Sequence, residues 1–423
     1  ITLGADSSPF DDEESFITCG SYEGNGSTTG PVINLGFEPQ WLLIKNIDSG
    51  VDGMHWYIFD NMRGIVNGGE NVRLKANKID ADAGEGSSSI FDVSPTGFQL
   101  NVASGSYNGN GNTFIYMAIR RPNKPASEFA ATDLFAIDTK GGTSPTPPAY
   151  VSGFPVDMEL HKNVNGNGDW KNSARLIQGN YLEPNNTDAQ ATDANMTAFD
   201  FQNGFRNETG TTSTSYAWMW RRAPGFFDVV AYTGDGTSTS FSHSLGVTPE
   251  LKIIKIRGDS FGWLVGGSAV TGGTDDYQMY LNTNAGKANT NYWGSVDSAS
   301  AFSVVAGNYL SNVSGQSYIA YLFASVDGIS KVGTFSRTQG NTTNVDCGFS
   351  NGARFVLIKR TNTSGHWVLW DSTRGIVAGN DPYVLVSSNN AQVTNQDYID
   401  PLSSGFSIQG GIATGDWIFY AIA

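Results

Sequence analysis

The sequence predicts an all-β protein of four tandem β-sandwich repeats, jelly-roll-like and about 100 residues each, packed into one elongated body. Three observations carry this expectation. Short apolar runs alternate with turns rich in Gly, Ser, Thr and Asn, and Gly alone supplies 51 of 423 residues, the texture of a chain with many tight turns. A hairpin with the same marker residues occurs four times. No stretch shows helical periodicity or heptads, and no apolar run is long enough to cross a membrane.

The hairpin is clearest at residues 353–375, ARFVLIKRTNTSGHWVLWDSTRG. Phe355 to Ile358 and Trp367 to Trp370 read as strands, and Thr361 to Gly365 read as the polar turn between them. Neither strand alternates apolar with polar. Phe355, Leu357 and Lys359 fall on one face and Val356 and Ile358 on the other, so both faces are apolar and both need a cover. One face is expected to pack within its own repeat, and the other against a neighbouring repeat, another subunit or another protein. Exposure of Phe59 and Trp370 in an isolated monomer would mark that second face as a contact surface, whereas burial of both by loops of their own repeat would defeat the expectation of one rigid body. The marker Lys recurs at 45, 162, 255 and 359 and the marker Trp at 56, 170, 263 and 367. Two markers with nearly the same period make an internal repeat.

In order, residues 1–15 form an N-terminal arm whose run Asp11-Asp12-Glu13-Glu14 reads as solvated. Repeat 1 spans 16–122, from the strand at Phe16–Cys19 to Phe114–Ile119, where Arg120-Arg121-Pro122 stops the ladder. Repeat 2, 123–227, opens in a Pro-rich connection and is the most divergent, with Lys171 to Arg175 in place of the second hairpin strand. Repeat 3, 228–331, has Gly266-Gly267-Ser268 where its relatives carry Asp-x-x-Arg-Gly. Repeat 4, 332–423, ends on a strand that matches the close of repeat 1 and reads as a true C-terminus. Ile1 is not an initiator Met, which points to a trimmed or processed start.

A net charge of −15 argues against nucleic acid and anionic membrane surfaces as partners, since both need clustered Lys and Arg. Cys19 and Cys347 occupy unrelated repeat positions and read as small buried apolar residues. The four His residues show no metal-ligand spacing, and His55 and His366, beside the marker Trp, read as structural. Gly-Asn-Gly turns such as 108–111 lack the following helix of a phosphate loop. Asp11-Asp12 and Asp275-Asp276 are adjacent only in sequence, which says nothing of the carboxylate separation of about 5–9.5 Å that a glycosidase pair needs. No catalytic residue, cofactor or metal ligand is therefore expected. The marker Trp residues read as core, while Tyr292 and Trp293, in a polar stretch, are candidates for exposed stacking on a ligand. The turns Asp60-x-x-Arg63 and Asp371-x-x-Arg374 read as structural, with receptor-binding tips as the alternative.

Ile-Tyr-Met-Ala-Ile-Arg-Arg (115–121), Gly-Phe-Pro-Val-Asp (153–157), Arg-Arg-Ala-Pro-Gly-Phe-Phe-Asp (221–228), Ala-Arg-Phe-Val-Leu-Ile-Lys-Arg-Thr (353–361) and Asp-Ser-Thr-Arg-Gly-Ile-Val (371–377) resemble a tandem-repeat region of tailed-bacteriophage virion proteins, structural or tail-fibre-like. The resemblance covers the chain from about Phe16 and brings no catalytic residues. It implies a non-enzymatic virion surface protein on the extracellular particle, contributing to host-surface attachment or particle structure. The implied partners are other virion proteins and a host cell-surface glycan or protein, with homo-oligomerisation left open. The alternative function is a carbohydrate-binding or carbohydrate-cleaving β-sandwich protein.

Overall fold

The computed structural model describes residues 16–50, 54–84, 89–140, 146–194, 196–206, 214–272, 277–290, 292–294 and 297–423. The acidic run Asp11 to Glu14 and the pair Asp275-Asp276 lie outside the described residues. Strand makes up 40% of the chain and helix 3%, so the fold is all-β, in several antiparallel sheets.

One pairing scheme recurs in four successive segments. In each, an opening strand pairs with the closing strand, the closing strand with the Lys-bearing strand, and that strand with a short fourth one. In the first segment these are Ile17–Glu23, Thr113–Arg120, Pro39–Asn46 and Tyr57–Asp60. In the second they are Phe135–Thr139, Ser215–Trp220, Met158–Asn163 and Lys171–Ala174. The third uses Phe227–Thr233, Ser317–Phe323, Leu251–Ile256 and Leu264–Gly266. The fourth uses Ser330–Arg337, Gly415–Ile422, Phe355–Arg360 and Trp367–Asp371. Lys171 to Ala174 therefore does form the second hairpin strand, despite its polar composition, because its backbone pairs with Met158 to His161.

The chain divides into two compact units. Unit 1 comprises residues 1–123 together with 175–178. Its five-stranded sheet faces a second sheet of Val32–Asn34, Gly97–Leu100 and Phe91–Ser94. Leu42, Ile44 and Phe59 point inward and are fully buried, with Phe59 edge-on to Phe91 at 5.0 Å between ring centres. Trp41, Leu43, Lys45 and Ile58 alternate with them on the opposite face and stay partly exposed. Cys19, expected in the interior, is exposed on the opening strand, whereas Cys347 is buried.

Unit 2 comprises residues 124–174 and 179–423 and holds the other three segments. In the fourth, Val356, Ile358 and Trp370 point inward to Phe406, Ile408 and Val345. Phe59 and Trp370 thus belong to the inner faces, so their burial says nothing of the second face. That second face is sealed in unit 2 by neighbouring segments. Leu160, Ile253 and Leu357, each two residues before its marker Lys, line one apolar cavity with Trp220, Phe323 and Tyr420. Aromatic rings join the segments across it, Trp220 to Phe355 at 5.6 Å and Phe323 to Tyr420 at 4.9 Å. Burial of a large apolar side chain contributes roughly 1.5–3 kcal/mol, which is the gain a solvent-facing sheet would forgo.

Leu369, on the cavity side, and Ile358, on the inner side, are both fully buried. Changing either to Ala should cost about 2–5 kcal/mol in denaturant unfolding. A cost below about 0.5 kcal/mol for Leu369→Ala, the ordinary range of surface substitutions, would show that the second face is not a true interior.

Candidate functional site

The two Asp-x-x-Arg turns have the same local chemistry in different surroundings. Asp60 accepts from the backbone N–H groups of Met62 and Arg63 and pairs with the Arg63 guanidinium at 2.6 Å, both side chains partly exposed. Asp371 likewise accepts from the N–H groups of Thr373 and Arg374 and pairs with Arg374 at 2.6 Å. This second pair is buried, however. Trp218 Nε1 donates to Asp371 at 3.2 Å, and the Arg374 guanidinium lies 5.4 Å from the Trp218 ring centre. The turn in the fourth segment thus docks on the second, which excludes Asp371 and Arg374 as free receptor-binding tips.

Trp293 is fully buried, so it cannot stack on a ligand. Its Nε1 donates to the Tyr277 carbonyl, and its ring lies 4.2 Å from the ammonium of Lys252, which is paired with Asp297 at 2.6 Å. Gly266 makes room for it, since a Cβ there would come within 2.2 Å of the indole. Tyr292 beside it is partly exposed and packs against the core of the third segment.

The second segment carries a buried Glu–His pair that the sequence reading missed. Glu159 and His161 occupy inward positions that hold Val356 and Ile358 in the fourth segment, and their side chains meet at 2.8 Å. Burial pushes the Glu159 carboxyl well above its ordinary range, with Arg206 and a backbone hydrogen bond from Ser173 opposing. Burial, aided by Arg206, Lys171 and Lys140, holds His161 well below the ordinary imidazole value. Glu159 is fully buried and His161 nearly so, which closes this acid–base pair to solutes. Among the described residues no group of three or more His, Cys, Asp or Glu could hold a metal ion.

The marker residues do their chemistry between segments. Trp170, Trp263 and Trp367 donate from Nε1 to the carbonyls of Leu385, Glu183 and Tyr280, at 2.9, 3.0 and 2.9 Å. Lys162, Lys255 and Lys359 donate to the carbonyls of Asn389, Thr187 and Asn284, at 3.0, 3.2 and 3.4 Å. The second segment thus reaches to the fourth, the fourth to the third and the third to the second, a closed ring within unit 2. These Trp residues were expected in the core of their own repeats; they are buried, but as seals against the next segment. Trp56 departs further and is exposed.

Each receiving loop is fixed by the strand it follows. The backbone N–H of the marker Trp donates to Asn77, Asn185, Asn282 or Ser387 of the loop in its own segment. Those residues, three places after Leu74, Leu182, Met279 and Val384, were the available sequence signal for the loop. His55 and His366 meet the same loops, at Asn77 and Ser387.

A family model described as "Domain of unknown function (DUF7483)" matches residues 8–122 and 130–423, nearly the whole chain. No curated protein matches it.

Two outcomes follow from these geometries. Arg374→Ala strands a buried carboxylate and should cost about 3–5 kcal/mol, whereas Arg63→Ala should cost about 0.2–1 kcal/mol. Equal losses in denaturant unfolding would mean that the fourth-segment turn is not docked.

The second outcome concerns pH. Burial holds Lys162, Lys255 and Lys359 at about 8, against ~10.4 for a solvated lysine. Between those values the unfolded chain binds more protons than the folded one, so stability rises with pH. Towards pH ~10 the trend reverses, because burial holds Cys347 and many tyrosines, Tyr321 and Tyr420 among them, protonated while their unfolded counterparts ionise. Calorimetry should therefore show a Tm that climbs from pH ~8 to about 9 before it falls. A monotonic fall over that range would show that the lysines are solvated.

Proposed function

The chain belongs to this family of unknown function, and we propose that it is a non-enzymatic bacteriophage virion surface protein. In this reading it is tail-fibre-like or a head-decorating fibre, made of four jelly-roll-like sandwich modules, and contributes to host-surface attachment or particle structure. The observation that carries the reading is the Lys–Trp seam. The recurring Lys and Trp of three segments are spent on interlocking those segments through main-chain acceptors, as suits a rigid building element. The resemblance of residues 115–121, 353–361 and 371–377 to phage virion repeats supplies the setting. A net charge of −15 suits a surface that must stay soluble at high local density. The carbohydrate-acting alternative loses its stacking platform with the burial of Trp293.

Gold-labelled antibody against the chain, applied to intact particles of a phage that encodes it, should decorate tails or capsids. Label confined to the particle-free fraction would overturn the virion assignment. Release of new reducing ends from host polysaccharide by the purified protein would overturn the non-enzymatic one.

A further inference from the structure

The contacts that close the ring in unit 2 fall in one register, and unit 1 carries the same groups in that register without the burial. Trp170, Trp263 and Trp367 donate to the carbonyls of Leu385, Glu183 and Tyr280. The lysines reach the carbonyls four residues further along each loop, at Asn389, Thr187 and Asn284. Seven residues along, the amides of Gln392, Gln190 and Lys287 donate back to Val164, Arg257 and Thr361, at 2.7, 2.8 and 2.7 Å. Each of those acceptors lies two residues past its marker Lys.

In unit 1 the same count assigns Trp56, Lys45 and the Ile47 carbonyl on the sheet, and the Lys75 carbonyl, the Ile79 carbonyl and the Asp82 amide on the loop. The loop is already built. Ala76 N–H donates to the Trp56 carbonyl as Val386 N–H does to Trp367, and Lys78 N–H donates to Lys75 as Ser388 N–H does to Leu385. Reciprocal bonds between Arg73 and Ala83 match those between Tyr383 and Val393. Trp56 is 38% exposed, Ile47 52% and Ile79 104%, and residues 76–83 are all exposed. Trp41, Leu43, Ile58 and Met117 are partly exposed, whereas their counterparts Phe355, Leu357, Leu369 and Tyr420 are buried.

We propose that unit 1 closes the same ring with unit 1 of two further copies, making the protein a homotrimer. In that trimer Trp56 Nε1 donates to the Lys75 carbonyl of the next copy, Lys45 to its Ile79 carbonyl, and the Asp82 amide back to Ile47. Unit 1 carries both halves of the contact, a donating sheet and a receiving loop, so a heterologous interface can propagate from copy to copy. Three is the number at which this geometry closes in unit 2. There every sheet and every loop is already engaged once, leaving no fourth place. None of this depends on the virion reading.

Sedimentation velocity of the full chain over a micromolar dilution series tests it. A species of three times the 45.3 kDa chain mass is expected, dissociating on dilution. Trp56→Ala and Asp82→Pro lie at exposed positions, and each should raise the dissociation midpoint by about tenfold or more, with far-ultraviolet circular dichroism unchanged. Should Asp82→Pro fail to fold, Lys45→Ala takes its place. A monomer throughout, which would assign the face to a different protein, overturns the homotrimer. So does a dimer or higher oligomer, or a trimer untouched by the variants.

Discussion

A sheet that is apolar on both faces has to be buried twice, and in this chain helix amounts to only 3%. The inner face is covered from within the same segment, where short strands such as Phe91–Ser94 and Gly405–Ile408 complete a second layer. The second face has only other sheets to meet. In unit 2 three such faces close on one another, with Leu160, Ile253 and Leu357 converging on a common cavity. Each of the three faces meets the other two, so the solution is a ring rather than a stacked pair.

Apolar burial has no direction, so it cannot fix the register in which the three sheets meet. The lysines and tryptophans do. An indole N–H or an ammonium buried there without an acceptor is costly, so the loop placement that brings a carbonyl to each is favoured over its alternatives. The acceptors are main-chain carbonyls, which are neutral, and the lysines therefore remain desolvated without a full counter-charge. That is the physical origin of their depressed pKa values, and the cost is accepted in exchange for a defined fit.

Much of this was legible in the sequence. The hairpin, its doubly apolar strands and the period of Lys and Trp follow from side-chain chemistry alone, since alternation and burial act on side chains. The partners of Lys and Trp were not legible, because a carbonyl acceptor leaves no mark on the residue that carries it: Leu385, Glu183 and Tyr280 share no side-chain property. Nor does local sequence report what lies across a fold. Trp293 sits among polar neighbours yet is buried, because Gly266 on another strand leaves space for it. Asp60-x-x-Arg63 and Asp371-x-x-Arg374 make the same turn, and only the second meets a Trp218.

The inner faces and the seam have diverged to different degrees, and the difference has a physical basis. Inside a segment, a change can be compensated locally. Glu159 with His161, Lys252 with Ile254, and Val356 with Ile358 are three distinct solutions at equivalent inward positions, the lysine answered by Asp297 from elsewhere in its segment. A seam residue has no such freedom, because each sheet must fit a loop of another segment whose backbone supplies the acceptor. A long cationic stem and an indole reach that backbone whatever side chains the loop carries, so the same pair can serve loops as different as 183–190, 280–287 and 385–392. The ring thus tolerates divergence in its loops while demanding constancy in its sheets, and Lys45 and Trp56 on the exposed sheet of unit 1 meet that demand as fully as their buried counterparts.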